Sequence, residues 1–212
     1  MTISIGVLSL LCTPLVHLAM WIRNFYCGKR VKKSKEPLLG RLLLLFYIIF
    51  GISLFFIKEY YNWQWCNLLS WNSPYIPYFI YTGSFICIIS AILLSWVHCH
   101  LGKNWTPTVN LLEDHKLITS GPYRLARHPM YTVFFIYCFG YLFASNNWLF
   151  FILATLATTY AASRISLEER TMLAEFGKQY FKYKETTGAF FPRTCSWDCG
   201  VSMKEAYEIV AS

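Results

Sequence analysis

Charge is what this sequence has least of. Only 14% of its 212 residues are Asp, Glu, Lys or Arg, and 11 are acidic. A soluble globular domain carries about 25% charge, so the shortage places the chain in the membrane class. There is no Gly-rich phosphate cradle, no GxGxxG after a strand and no nucleophile elbow, which excludes a soluble-type nucleotide fold. No internal repeat is present. The first apolar run lacks a basic leader and a small-residue cleavage site, so it does not read as a secretory signal. Cys12 follows Leu11 rather than a small residue, which argues against a lipoprotein site. The eight cysteines are scattered, and a disulfide framework is not expected. Neither His98-Cys99-His100 nor Cys195 with Cys199 offers four ligands at zinc spacing, so no metal site is expected.

What is present is apolar and aromatic: 56% of the residues are hydrophobic and 19% are Phe, Trp or Tyr. They form continuous runs rather than alternating ones, which indicates helices, since a lipid-embedded backbone must satisfy its polar groups internally. Spans are expected at about Ile3–Ile22, Arg41–Ile57 and Tyr75–Val97, each close to the roughly 20 residues a bilayer requires. Two shorter segments, Tyr131–Ala144 and Trp148–Ala162, flank the turn signal Ser145-Asn146-Asn147 and read as a helical hairpin. The expected fold is therefore an all-α polytopic membrane protein with about five transmembrane or embedded helices.

The net charge of +8 is informative through its placement. Arg23, Lys29, Arg30, Lys32, Lys33, Lys35 and Arg41 lie in the first loop. Lys103, Lys116, Arg124 and Arg127 follow the third span, and further basic residues run from Arg164 onward. With alternating spans and a returning hairpin, these share one side and Lys58 stands on the other. The positive-inside rule makes the shared side cytoplasmic, with the N-terminus outside and the C-terminus cytoplasmic. The Lys29–Lys35 cluster is a topology anchor that also attracts anionic headgroups. Membrane lipids are the expected surroundings, and nucleic acid is not an expected partner.

The chain divides by chemistry. Residues 1–98 read as a scaffold of three spans, residues 99–193 hold the ordered polar chemistry, and residues 194–212 form a polar tail with no assigned role. The long connection from His98 to Pro129 is too mixed to be idle. After the hairpin a helix is expected to continue through Arg164, Glu168, Glu169 and Arg170 to a stop at Gly177. Tyr180, Phe181 and Tyr183 then interleave with Lys178, Lys182 and Lys184 as an interfacial helix closed by Pro192.

Arg164 and Glu168 stand one helical turn apart, on one face, within reach of a shared ligand or of each other. The plain alternative is a salt bridge at the end of a span, although Arg before Glu is the weaker order for helix support. Glu169 and Arg170 point elsewhere and are expected to be solvated. Arg127 and His128 precede Pro129, a helix-start signal. For Arg127 the simple reading is a cationic anchor, whereas His128 is placed to meet a ligand, with Tyr123 and Tyr131 as pocket walls. Aromatic belts at interfaces account for the same tyrosines equally well.

Taken together, His115-Lys116-Leu117-Ile118-Thr119-Ser120-Gly121-Pro122-Tyr123, then Arg127-His128-Pro129-Met130-Tyr131, then Arg164, Glu168, Glu169, Gly177, Tyr180, Tyr183 and Pro192 form an ordered pattern. It resembles the isoprenylcysteine carboxyl methyltransferase family, from about Leu94 to Pro192, in its shorter five-helix form. The resemblance implies S-adenosylmethionine as methyl donor and a cytoplasmic helical cofactor-binding region. It implies donor contacts at Asn110, His115, Lys116, Leu117, Ile118, Tyr123, His128, Pro129, Met130, Tyr131 and Glu168. It places Arg164 at the acceptor's carboxylate, so that Arg164 and Glu168 carry the catalytic roles.

The implied chemistry suits an interface. Methyl transfer to a carboxylate needs alignment and a dry site more than acid–base help. An arginine can hold a carboxylate through two hydrogen bonds, and aromatic faces favour a sulfonium cation. A lipophilic acceptor can enter from the bilayer while the polar donor arrives from water. Carboxyl O-methylation of an isoprenylated cysteine is the leading expectation, and phospholipid amines or thiols are the alternatives. An NADPH-dependent sterol-type membrane reductase is the rival enzyme class, disfavoured because Gly188-Ala189-Phe190-Phe191-Pro192 stands where a Tyr-Arg pair is usual. A non-enzymatic membrane protein of the same fold is the third reading.

Overall fold

The computed structural model describes residues 5–26, 70, 72–105, 114–192 and 201–211. It is helical, with no strand among the described residues beyond one isolated bridge. The helices are α1 (Ile5–Tyr26), α2 (Ile76–Leu101), α3 (Pro129–Ser145), α4 (Trp148–Ala162), α5 (Ile165–Phe176), α6 (Lys178–Thr186) and α7 (Met203–Ala211). Single 3-10 turns follow α2 at Gly102–Asn104 and precede α3 at Gly121–Arg124. The expected span over Arg41–Ile57, the basic Lys29–Lys35 loop, Asn110 and the Cys195–Cys199 segment lie outside the described residues.

Two stretches are long and apolar enough to cross a membrane by length and composition, Ile76–Asn104 and Trp148–Phe176. In the second the apolar residues end at Ala162, and the charged residues of α5 follow. The helix expected to run on through Arg164 is interrupted there. A turn at Ser163 and Arg164 separates α4 from α5, and Ser163 Oγ donates to the Tyr160 carbonyl at 2.6 Å. Such side-chain capture of a helical carbonyl competes with the next helical bond.

The chain forms two compact units. The first comprises residues 1–19, 37–94 and 133–159. Its described helices meet through small residues: a Cβ added at Gly83 would strike the backbone of Gly140, Phe143 and Ala144. One added at Gly140 would meet Ile86 and Cys87. Where lipid removes the hydrophobic drive for helix association, such backbone approach supplies the dispersion contact instead. The hairpin turn forms where expected. Asn146 takes a left-handed φ of 49°, which asparagine tolerates better than most residues. Asn147 Oδ1 accepts the Leu149 N–H at 2.8 Å, capping α4.

The second unit comprises residues 20–36, 95–132 and 160–212. Helices α5, α6 and α7 pack together here. Their core is Leu173, Tyr180, Tyr183, Val201 and Ala206, with Leu117, Met172 and Phe176 packed alongside. Gly177 joins α5 to α6 at φ 49°, a left-handed conformation that glycine adopts without a Cβ penalty. The 194–212 segment, expected as a polar tail, is a packed element over its described part: Val201 and Ala206 are fully buried, and Arg170 pairs with Glu205 at 2.8 Å.

Candidate active site

The second unit gathers the polar chemistry around the start of α3. Gly121, with φ 59°, opens the 3-10 turn Gly121–Arg124, and Pro122 is its second residue. A Cβ at Gly121 would be strained at that φ and would run into the His100 ring, which would have to move. The chain then extends through Ala126, Arg127 and His128, as the residue before a proline prefers. A strap from Thr187 to Phe190 pairs with it. Arg127 N–H donates to Gly188 O and His128 N–H to Ala189 O, both at 2.9 Å, and Thr132 Oγ donates to Phe190 O at 2.8 Å. The Gly188–Pro192 stretch therefore holds the Arg-His-Pro segment in place through backbone bonds.

Behind that segment lies a buried ionic centre. Glu169 is fully buried, at 0% exposure. Its Oε1 accepts from Arg127 Nε at 2.9 Å and lies 3.3 Å from His128 Nε2. Its Oε2 accepts from Lys184 Nζ and from the Val201 N–H, each at 2.9 Å. Arg127 also donates to the carbonyls of Lys184 and Thr187. This corrects two expectations: Glu169 is not solvated, and Arg127 is not simply a cationic anchor of the span but a buried partner of Glu169. The reason is helix phase. Ile165, Glu169 and Leu173 are spaced four apart and all buried, so Glu169 lies on the apolar stripe of α5. Lys184 likewise shares the buried stripe of α6 with Tyr180 and Tyr183. A carboxylate on one stripe and an ammonium on the facing one was the available signal, because buried charges occur paired.

The next carboxylate faces the other way. Glu168 keeps 28% of its side chain exposed, and its Oε2 lies 3.6 Å from His128 Nδ1. Tyr131 donates its phenol to Glu168 Oε1 at 2.6 Å. His128 is thus set between two carboxylates, one on each ring nitrogen. Burial alone would lower its pKa, but the contacts with Glu168 and Glu169 outweigh that and raise it above the ordinary 6.5. For Glu169, burial would raise the value, yet His128, Arg127 and Lys184 bring it down to about 2.

The expected site residues fall into groups. His128, Tyr131 and Glu168 are brought together, with Pro129 buried and Met130 half-buried at the first turn of α3. Tyr123 is buried, and its carbonyl accepts the Tyr183 phenol at 2.5 Å. Burial drives the Tyr123 phenol well above its ordinary pKa, and the nearby Tyr183 and Glu168 reinforce this. Leu117 packs against the α5–α7 core, Ile118 is half-buried, and the His115 ring lies 6.1 Å from that of Phe176. Lys116 is exposed, and its backbone N–H donates to Asn104 Oδ1 at 3.1 Å. Arg164 is half-buried just before α5, and its carbonyl accepts the Glu168 N–H at 3.0 Å. Among the described residues no group of three or more His, Cys, Asp or Glu is arranged to hold a metal ion.

Residues 83–174, which include His128, Tyr131, Arg164, Glu168 and Glu169, match the model of the isoprenylcysteine carboxyl methyltransferase family. This stretch carries the family's pattern. A protein-S-isoprenylcysteine O-methyltransferase from Tribolium castaneum is 32% identical over 113 residues, covering 52% of this chain and 40% of that one. One from Dictyostelium discoideum is 25% identical over 192 residues, covering 86% of this chain and 74% of the relative. The chain matches about half the length of the first curated relatives, 40% and 60%. Among solved structures, a eukaryotic intramembrane Ras methyltransferase ICMT aligns with a TM-score of 0.53 and 26% identity, over 70% of this chain and 52% of that one.

Proposed function

We propose that this protein is an S-adenosylmethionine-dependent integral membrane methyltransferase that esterifies the carboxylate of an isoprenylated cysteine or a similar lipophilic acceptor. One observation carries the reading. Glu168, Tyr131 and His128 form a partly open polar group at the entry to α3, inside the segment that matches the family. The named activity of the relatives agrees with it.

The residues present suit the donor. A partly exposed carboxylate held by a phenol, with an imidazole 3.6 Å away, can accept from an amine or from ribose hydroxyls, and tyrosine faces favour a sulfonium. Glu168, His128, Tyr131 and Met130 would hold it, with Tyr123 and the His115–Ile118 segment as further walls and Asn110 as a polar contact. When bound, the donor supplies an electrophilic methyl group. Tyr131 and His128 fix Glu168, so the carboxylate need not reorganise when ligand arrives. Arg164, at the foot of α4, is placed in sequence to pin an acceptor carboxylate from the apolar side. The acceptor enters from the bilayer, and the basic loops put the site and C-terminus in the cytoplasm, with the N-terminus outside.

Thermal titration of the purified protein tests the reading. S-adenosylhomocysteine should raise the melting temperature with the logarithm of its concentration above Kd, and Glu168→Ala should weaken that effect while Arg164→Ala leaves it. Stabilisation by NADPH alone would overturn the proposal.

A further inference from the structure

Glu169 is fully buried with both carboxylate oxygens bonded to protein donors, whereas Glu168 keeps 28% of its side chain exposed. We infer that Glu169 is a positioning residue: it holds His128 by Nε2 so that Nδ1 faces Glu168, presetting the carboxylate that meets the donor. The inference rests on the proposed function for the identity of that ligand, and on geometry for the rest.

The geometry leaves His128 little freedom. Its backbone N–H is fixed by Ala189 O, its side chain is 8% exposed, and Pro129 follows as the first residue of α3. The charged and titratable groups facing it are Glu168 and Glu169 from α5 and Tyr131 from α3, whose ring centroid is 6.0 Å away. Arg127 on its own segment and Lys184 from α6 stand on the far side of Glu169. A neutral imidazole carries one N–H and one lone pair, so a ring with Glu169 3.3 Å from Nε2 and Glu168 3.6 Å from Nδ1 favours the doubly protonated form. Arg127, Lys184 and Val201 in turn fix the Glu169 carboxylate in one orientation. Loss of the proton would turn a lone pair toward one of the carboxylates and weaken the setting of Glu168, leaving the Tyr131 phenol as its remaining contact.

The test is the pH dependence of S-adenosylhomocysteine binding to the full chain, native and Glu169→Gln. The amide keeps the size of the side chain and its acceptor for Val201 N–H, but removes the negative charge that faces His128 Nε2. Binding to the native protein should fall on an alkaline limb as His128 loses its proton. In Glu169→Gln that limb should move down by roughly one to three pH units, and Glu169→Asp should restore part of it. A limb that stays in place in a folded Glu169→Gln protein overturns the inference.

Ring-labelled histidine NMR on the native protein is the second measurement, and it needs neither a folded variant nor a ligand. It should find His128 protonated on both nitrogens at neutral pH, and a neutral ring there overturns the inference. Absence of binding by the native protein at any pH, with His128 doubly protonated, would instead count against the proposed function and leave the positioning of His128 standing.

Discussion

Glu168 and Glu169, adjacent on α5, address the two nitrogens of one imidazole. Glu168 Oε2 lies 3.6 Å from His128 Nδ1, and Glu169 Oε1 lies 3.3 Å from Nε2. The first carboxylate is partly open and the second is sealed, so a single helical step separates an exposed acidic group from a buried one.

The phenol of Tyr131 is the shortest contact to the open carboxylate, at 2.6 Å. Tyr131→Phe keeps the ring and removes that donor. A hydrogen bond to a charged group contributes about 1.5–3 kcal/mol, so S-adenosylhomocysteine should bind about tenfold to a hundredfold more weakly by calorimetry. The melting temperature should fall less than that figure implies, because water replaces the phenol on the partly exposed Glu168.

Arg127→Ala should act on the fold instead. It leaves the buried Glu169 carboxylate without its guanidinium and strips donors from the Lys184 and Thr187 carbonyls. Breaking a buried pair from one side costs about 3–5 kcal/mol, which denaturant unfolding in detergent would register. Arg127→Lys should recover only part of the loss, since one ammonium cannot serve carboxylate and carbonyls together.

The two shifted groups set a pH window for stability. Glu169, lowered from 4.5 to about 2, contributes stability that is complete above 4.5 and lost as pH falls toward 2. His128, raised from 6.5, contributes stability that is complete below 6.5 and lost as pH rises through its folded value. Amide exchange of α5 and α6 should therefore be slowest between pH 4.5 and 6.5, after correction for intrinsic rates. Protection that rises steadily with pH across that range would contradict the assignment.

Much of this was legible in the chain. The apolar runs and Asn146-Asn147 located the hairpin, and the Arg-His-Pro-Met-Tyr segment located the start of α3, because proline and a helix start leave a local signature. Glu169 and Lys184 were not read, since each was judged against its neighbours in sequence. Their burial depends on which stripe of α5 meets which stripe of α6, a tertiary fact. The break at Ser163 was hidden for a similar reason: no Gly or Pro marks it. The packing of Val201 and Ala206 was obscured by the polar composition of the tail around them.

Ending the chain before Val201 tests that last element. The truncation removes the Val201 N–H from Glu169 and uncovers the core around Leu173 and Tyr180. Exchange in α5 and α6 should accelerate and the melting temperature should fall. Unchanged protection would mean that α7 is not part of the folded unit.

The central claim is methyl transfer to a lipophilic acceptor, and product labelling addresses it most directly. The purified protein in lipid, given S-adenosylmethionine with a radiolabelled methyl group and separate prenylcysteine, phospholipid and thiol acceptors, should place label on prenylcysteine as a base-labile ester. Label in none of the three, from protein that binds S-adenosylhomocysteine and is folded, would contradict the account.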